Sequence, residues 1–300
     1  MSNKLLVVIA GPTGSGKTEV AIQLSTHYST EIVSADSRQI YKELNIGVNK
    51  PSIEQLSAAP HHLINHTSIQ DHYSAGHYTT DALTIVYTLF ARHDIVILSG
   101  GTGLYIKAVI DGLDAMPEVP QSVTEQWTTL WEEQGTSALI DALKELDPDY
   151  LAIVDQENYS RLIRAAAVSS HSGKPFSSFR KGETAERLFN VLPIALDLPR
   201  DDLYERINTR VHEMLNQGWM EEATSLYPFR ELKALQTVGY KELFEVIEGK
   251  LTMDEAIEKI KQSTRRYAKR QLTWWRHQGQ WNWILPKEVK AMIALIESSR

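Results

Sequence analysis

The chain has 300 residues, with 31 Lys and Arg against 38 Asp and Glu, a net charge of -7, and no cysteine. That balance argues against a wholesale nucleic-acid packager, and the missing thiols exclude disulfides and thiolate metal sites, as suits a reducing cytoplasm. No stretch approaches the ~18 apolar residues of a membrane span, and the short apolar start runs into a glycine-rich loop instead of a cleavage site. A cytoplasmic chain of one large or two modest domains, without a targeting segment or a membrane partner, is therefore expected.

Leu5-Leu6-Val7-Val8-Ile9-Ala10 reads as a buried parallel strand and residues 19–28 as a helix. Between them stands Gly11-Pro12-Thr13-Gly14-Ser15-Gly16-Lys17-Thr18, a phosphate-loop pattern in the strand-loop-helix context it requires. Glycines let the backbone turn tightly, so that successive N-H groups and a helix N-terminus converge on one cluster of anionic oxygens. Lys17 neutralises two phosphates in this reading, and the Thr18 hydroxyl ligates a magnesium ion between them.

Residues 31–35 read as a second strand, which delivers Asp36-Ser37-Arg38-Gln39 to its C-terminal end, where open α/β sheets bind ligands. Asp36 is there either as a proton acceptor or magnesium partner, or as the cap of a turn. The segment 47–78 reads as an irregular flank holding His61, His62, His66, His72 and His77. Zinc is the sharper reading of these histidines; capping, packing or phosphate contact is the plainer one, because no helical ligand pair supports a metal. Residues 81–92 read as a helix and 94–98 as a third buried strand, ending in Ser99-Gly100-Gly101-Thr102-Gly103. A nucleotide-hydrolysing motor would place a magnesium-holding acid at that strand end, and this chain has serine and glycine.

Prolines and acids at 111–120 break the α/β rhythm and mark an insertion. Within it, 121–134, 137–146 and 158–170 read as helices, the last carrying Arg161 and Arg164 on one face, as a phosphate grip or a solvated charged face. Residues 190–198 read as a strand and 203–215 as a helix bearing Arg206 and Arg210, either a lid over the phosphates or a pair of surface ion pairs. Gly239-Tyr240-Lys241-Glu242 reads as a connection before a long helix, Met253–His277. Lys259, Lys261, Arg265, Arg266, Lys269, Arg270 and Arg276 make that helix basic, with aromatics interleaved. It suits a surface that tracks an RNA backbone, its aromatics mainly core and partly stacking platforms, or a solvated amphipathic helix.

Together these motifs resemble the tRNA dimethylallyltransferases, also called tRNA isopentenyltransferases. The resemblance rests on the phosphate loop, Asp36-Ser37-Arg38-Gln39-Ile40-Tyr41, Ile46-Gly47 with Lys50-Pro51, and Pro60-His61-His62-Leu63. It continues through Tyr73-Ser74-Ala75-Gly76, Gly100-Gly101-Thr102-Gly103-Leu104-Tyr105, Gly239-Tyr240-Lys241-Glu242 and Arg266-Tyr267-Ala268-Lys269-Arg270-Gln271. The fold class that follows is α/β, a P-loop NTPase-like parallel sheet flanked by helices with an α-helical insertion domain: core at 1–112 and 189–300, insertion at 113–188.

The resemblance implies transfer of a dimethylallyl group from dimethylallyl diphosphate to the exocyclic amine of the adenine 3′ of the anticodon. Asp36, Thr102 and Arg210 would be catalytic, with Asp36 the general base. Gly11, Thr13, Gly14, Ser15, Gly16, Lys17 and Thr18 would hold the diphosphate, with magnesium at Thr18. Asp36, Ser37, Arg38, Gln39, Arg161, Arg164, Arg266, Lys269 and Arg270 would contact the tRNA anticodon stem-loop, with the chain acting as a monomer. A P-loop kinase of a nucleoside or other small hydroxyl compound shares the front half of this pattern but has no need of the helical insertion or the basic helix. The chain departs from the family at Val48 and Asn49, where threonine and alanine are usual, and at Ala166-Ala167, where leucine and glutamate are, and both departures bear on tRNA selection.

Overall fold

The structure is a computed structural model that describes residues 4–182 and 184–300. It divides into two compact units, one built from the chain up to Ile110 together with Glu186–Arg300, the other from Asp111–Ala185. Among the described residues no helix is long and apolar enough to cross a membrane.

The first unit is organised on a six-stranded sheet, β1 (Leu5–Ala10), β2 (Ile32–Ser34), β3 (His61–His62), β4 (Ile95–Gly100), β5 (Asn190–Leu196) and β6 (Asn282–Ile284). The order is β3-β2-β4-β1-β5-β6 and every pairing is parallel. Its helices are α1 (Lys17–Tyr28), α2 (Ile53–Ala58), α3 (Ala75–Phe90) and α4 (Gly103–Asp111), and, after the second unit's α5 (Gln121–Leu146), α6 (Pro148–Leu151) and α7 (Tyr159–Ser172), α8 (Arg200–Asn216), α9 (Trp219–Leu226), α10 (Tyr240–Ile247), α11 (Met253–His277) and α12 (Val289–Ser298).

All six residues of β1 are buried because helices cover both faces of the sheet. Alternation sends Leu6 and Val8 to one face, against Val86 and Leu89 of α3 and Trp275 of α11. Val7 and Ile9 go to the other, against Val20 and Leu24 of α1 and Met292 and Ile296 of α12. A third cluster joins α8, α9, α10 and α11 through Val211, Trp219, Leu243 and Ile260. Each such side chain stabilises the fold by roughly 1.5–3 kcal/mol relative to exposure. The expected parallel α/β architecture is what the structure has.

Three local expectations need correction. The helix read at 81–92 starts at Ala75, because Ser74 and His77 form a capping box: the Ser74 hydroxyl accepts the His77 N-H at 3.2 Å and His77 Nδ1 accepts that of Ser74 at 3.2 Å. Gly239-Tyr240-Lys241-Glu242 starts α10 instead of forming a connection, with Glu242 accepting the Gly239 N-H at 2.7 Å. The sequence pattern assigns nothing to α9, β6 or α12, which are short or open on weak caps.

The second unit packs α5 and α7 around Leu139, Leu143, Leu162, Ile163 and Val168. α5 is broken at Gly135, which has a non-helical φ of 75°, so the expected pair of helices is observed. Asp147, fully buried, caps α6 by accepting the Tyr150 N-H at 3.0 Å and also accepts the Ser177 N-H and hydroxyl. Ala166 and Ala167 are buried too, so that departure from the family alters packing inside the unit and not an RNA-facing surface.

Candidate active site

Parallel strands bring their C-terminal ends to one edge, and there Ala10, Ser34 and Gly100 hand the chain to the phosphate loop, the Asp36 turn and the Gly101-Thr102 turn. These turns border a cavity of about 360 Å³ within the first unit. Its lining combines a polar set, Thr13, Gly14, Gly16, Lys17, Thr18, Asp36 and Arg210, with an apolar set, Ile207, Val211, Met214, Trp219, Val238 and Ile260.

In the phosphate loop Gly14 and Gly16 have φ of 85° and 88°, values that side chains resist. A Cβ on Gly14 would also stand 3.1 Å from Ile207 and 3.2 Å from Leu203, so glycine lets α8 lie directly on the loop. Lys17 donates to the Pro12 carbonyl at 2.7 Å. Burial pushes its ammonium down to about 8, against the pull of the Asp36 carboxylate and with the charge of Arg210 adding to the fall. Burial lowers Arg210 as well, partly offset by Glu213, with Arg206 adding to the shift. A buried lysine whose charge is further opposed by a neighbouring arginine makes a site that gains from an anion beside it. The Ser15 hydroxyl is buried in the same loop with no hydrogen-bond partner among the described residues.

Asp36 caps a turn and also lines the cavity. Oδ1 caps the following turn, accepting the N-H of Arg38 at 2.8 Å and of Gln39 at 3.2 Å, which leaves Oδ2 for a ligand. Thr102 does not line the cavity: its hydroxyl accepts the Ser37 N-H at 3.0 Å and donates to Ser37 Oγ at 3.2 Å, so it secures the turn behind Asp36. Gln39 lines the cavity and donates through Nε2 to the carbonyls of Val48 and Asn49, at 3.2 and 2.9 Å. Because those partners are main-chain atoms, the unusual residues at 48 and 49 leave this grip unchanged. Arg38 donates to the carbonyls of Lys233 and Ala234.

Other expected residues lie outside the cavity. Arg266, Lys269 and Arg270 are exposed on α11, and Arg206 is exposed beside Gly16. Arg161 and Arg164 are exposed on α7 of the second unit. The histidines serve as caps and partners: His61 bonds the Ala59 carbonyl, His62 pairs with Glu31 and His66 with Asp81.

Sequence reasoning missed Gln271 as a site residue. It is buried at 8% exposure, accepts the Thr13 N-H through Oε1 and donates through Nε2 to the Gly101 carbonyl, both at 2.9 Å. A buried amide with both ends satisfied joins α11 to two of the three site turns. The signals for it in the chain are its place in the Arg266–Gln271 motif and an uncharged polar side chain on the inner stripe of a basic helix.

The IPP transferase family model matches residues 39–278. The tRNA dimethylallyltransferase 1 of Bacteroides fragilis is 40% identical over 299 residues, spanning 100% of this chain and 99% of its own length. That of Christiangramia forsetii is 46% identical over 284 residues, with 95% and 94% covered. Among solved structures, the full-length tRNA isopentenylpyrophosphate transferase of Bacillus halodurans superposes with a TM-score of 0.73 at 32% identity, covering 98% of this chain and 96% of that one. A eukaryotic dimethylallyltransferase caught acting on tRNA gives a TM-score of 0.76 at 27% identity, with 90% and 69% covered. On full-length similarity and on the shared sheet, this chain belongs to the IPP transferase family.

Proposed function

We propose that this enzyme transfers a dimethylallyl group from dimethylallyl diphosphate to the exocyclic amine of the adenine 3′ of the anticodon in tRNA, releasing diphosphate. The observation that carries the reading is one cavity lined both by two cations, Lys17 and Arg210, and by apolar side chains from Ile207 to Trp219. The cations take the diphosphate and the apolar side chains take the five carbons. The kinase reading is not favoured, because the family model and the relatives the chain matches are transferases named for prenyl transfer to tRNA.

In the reaction the carbon-oxygen bond of the donor breaks as the amine nitrogen forms its new bond to carbon. The leaving oxygen gains charge, which Lys17, Arg210 and the loop N-H groups neutralise. The amine becomes acidic only as the new bond forms, and its proton passes to Asp36 Oδ2, the oxygen that the turn leaves free. Thr102 and Gln271 hold the turns in register, and Gln39 reads the base.

The donor set fits magnesium: the Thr18 hydroxyl is a hard oxygen ligand, and a metal that keeps several waters needs few protein ligands beyond the substrate phosphates. Thr18 would hold it, directly or through water, and when bound it adds positive charge against the leaving diphosphate. Arg161 and Arg164 of the second unit, with Arg266, Lys269 and Arg270 of α11, are proposed to grip phosphates of the anticodon stem-loop, the chain acting as a cytoplasmic monomer.

The test is incubation of the protein and magnesium with labelled dimethylallyl diphosphate and an unmodified tRNA that has adenines after the anticodon. Label is expected in that one adenine. Label that stays in the small-molecule pool while the γ-phosphate of ATP moves to a nucleoside would overturn the reading in favour of a kinase.

A further inference from the structure

Ile260, Thr264, Tyr267 and Gln271 recur at helical spacing along α11, and all of them line the cavity. Ile260 and Gln271 are buried and Thr264 is partly so, whereas Tyr267 is 38% exposed. Its phenol makes no hydrogen bond and its ring meets no other aromatic ring among the described residues, with only the Arg270 guanidinium 5.7 Å from the ring centroid. This ring is left open at the cavity lining, whereas the other large aromatics of the same stretch of helix, Trp274 and Trp275, pack into the core.

The surroundings point to what covers it. Asp36 borders the same cavity, and Arg266, Lys269 and Arg270 stand exposed on either side of Tyr267 along the helix. A nucleotide entering past those cations brings its phosphates to them and its base to the ring.

We propose that the Tyr267 ring is the stacking platform for the acceptor adenine, holding the extruded base so that its exocyclic amine faces Asp36. The assignment rests on the prenyl-transfer reading and adds to it the residue that orients the acceptor. Stacking does not distinguish one base from another, so Tyr267 supplies affinity and alignment while base identity is read elsewhere.

The test compares wild type, Tyr267→Ala and Tyr267→Phe by steady-state kinetics on unmodified tRNA, alongside calorimetric binding of inorganic diphosphate. In parallel, an anticodon stem-loop carrying 2-aminopurine at the acceptor position reports stacking by its fluorescence and lacks the 6-amine that adenine would present for prenylation. Tyr267→Ala is expected to lower kcat/KM for tRNA about tenfold or more, with diphosphate binding within about twofold of wild type. Its complex with the 2-aminopurine stem-loop should be brighter than the wild-type complex, and Tyr267→Phe, which keeps the ring, should restore both readouts. Should Tyr267→Ala fold poorly, Tyr267→Leu, which keeps the bulk without the π face, takes its place with the same expectation. Wild-type prenylation with kcat/KM unchanged in the Ala or Leu variant overturns the platform alone. A loss matched by lost diphosphate binding overturns it as well, in favour of a structural role. A wild type that moves no label removes the underlying reaction, and the platform with it.

Discussion

The carboxamide of Gln271 accepts the backbone N-H of Thr13 at 2.9 Å across 258 residues of chain, and its other end donates to the Gly101 carbonyl. This fixes the amide in one orientation, since only the oxygen suits Thr13 and only the nitrogen suits Gly101. Gln271→Leu would leave both main-chain groups unpartnered, at a cost of about 1–3 kcal/mol of stability. Gln271→Glu keeps the acceptor for Thr13 but sets a negative oxygen against the Gly101 carbonyl, close to the diphosphate site. The Glu variant is therefore expected to weaken diphosphate binding more than the Leu variant does, although Leu loses more hydrogen bonds. Calorimetry with inorganic diphosphate, beside urea denaturation, separates the two effects; equal binding by both variants would show that the amide serves stability alone.

Lys17 gives the site a pH dependence. Its proton, held in the unfolded chain up to about 10.5, leaves the ligand-free fold near 8. Diphosphate needs the charged lysine, so affinity is expected to fall as pH rises through 8, by at most about tenfold per pH unit. Stability of the ligand-free fold runs the other way. Between the folded and unfolded values the unfolded chain binds more protons, so stability rises with pH across that window. Lys17→Met should abolish both trends and raise the melting temperature of the ligand-free protein at pH 7. Diphosphate affinity that stays flat to pH 9.5 would remove Lys17 from this role.

For Asp36 the expectation follows from the division of labour between its two oxygens. An asparagine placed with its carbonyl oxygen at the Oδ1 position still caps Arg38 and Gln39, so the turn persists, but it has no basic oxygen for the amine proton. Asp36→Asn should lower the single-turnover rate by about a hundredfold or more while diphosphate binding is largely kept. Equal loss of rate and of diphosphate binding would make Asp36 a structural or metal-holding residue instead.

What the chain reveals before folding depends on how local the signal is. The strands at 5–10 and 94–98 are continuous apolar runs, and the phosphate loop spells out its glycines, lysine and threonine in sequence, so the sheet edge and the loop that borders the cavity were legible. Asp36 was legible as either a cap or a base, and the structure uses one oxygen as a cap. Gln271 was hidden because its partners lie far off in the chain and are main-chain atoms, which have no residue signature. The start of α10 was hidden because Gly239-Tyr240 reads as a turn until the buried Tyr240 ring is seen packed in the third core cluster. The apolar wall was illegible for a related reason: Val211, Trp219 and Ile260 come from three helices, each of which reads as ordinary amphipathic structure alone.

Glu222 on α9 controls the remaining wall. Its carboxylate accepts the N-H groups of Asn45, Ile46 and Gly47 at 3.2, 2.8 and 3.0 Å and the Tyr240 hydroxyl at 2.5 Å. Four donors on one carboxylate hold the short turn Ile46–Val48, whose end presents the Val48 and Asn49 carbonyls to Gln39. Glu222→Gln replaces one accepting oxygen with an NH2 group that faces donors, and the charge that strengthened all four bonds is gone. A stability loss of roughly 2 kcal/mol or more is expected, seen as a lower urea midpoint with an unchanged m-value. Because the turn orients Gln39 and not the phosphate loop, KM for tRNA should rise while diphosphate affinity stays within about twofold, a difference that one charge-assisted bond lost at Gly47 is large enough to produce. If the tRNA KM of Glu222→Gln equals that of wild type despite the lower stability, the turn supports the fold without aligning Gln39, and base reading must be assigned to other cavity residues.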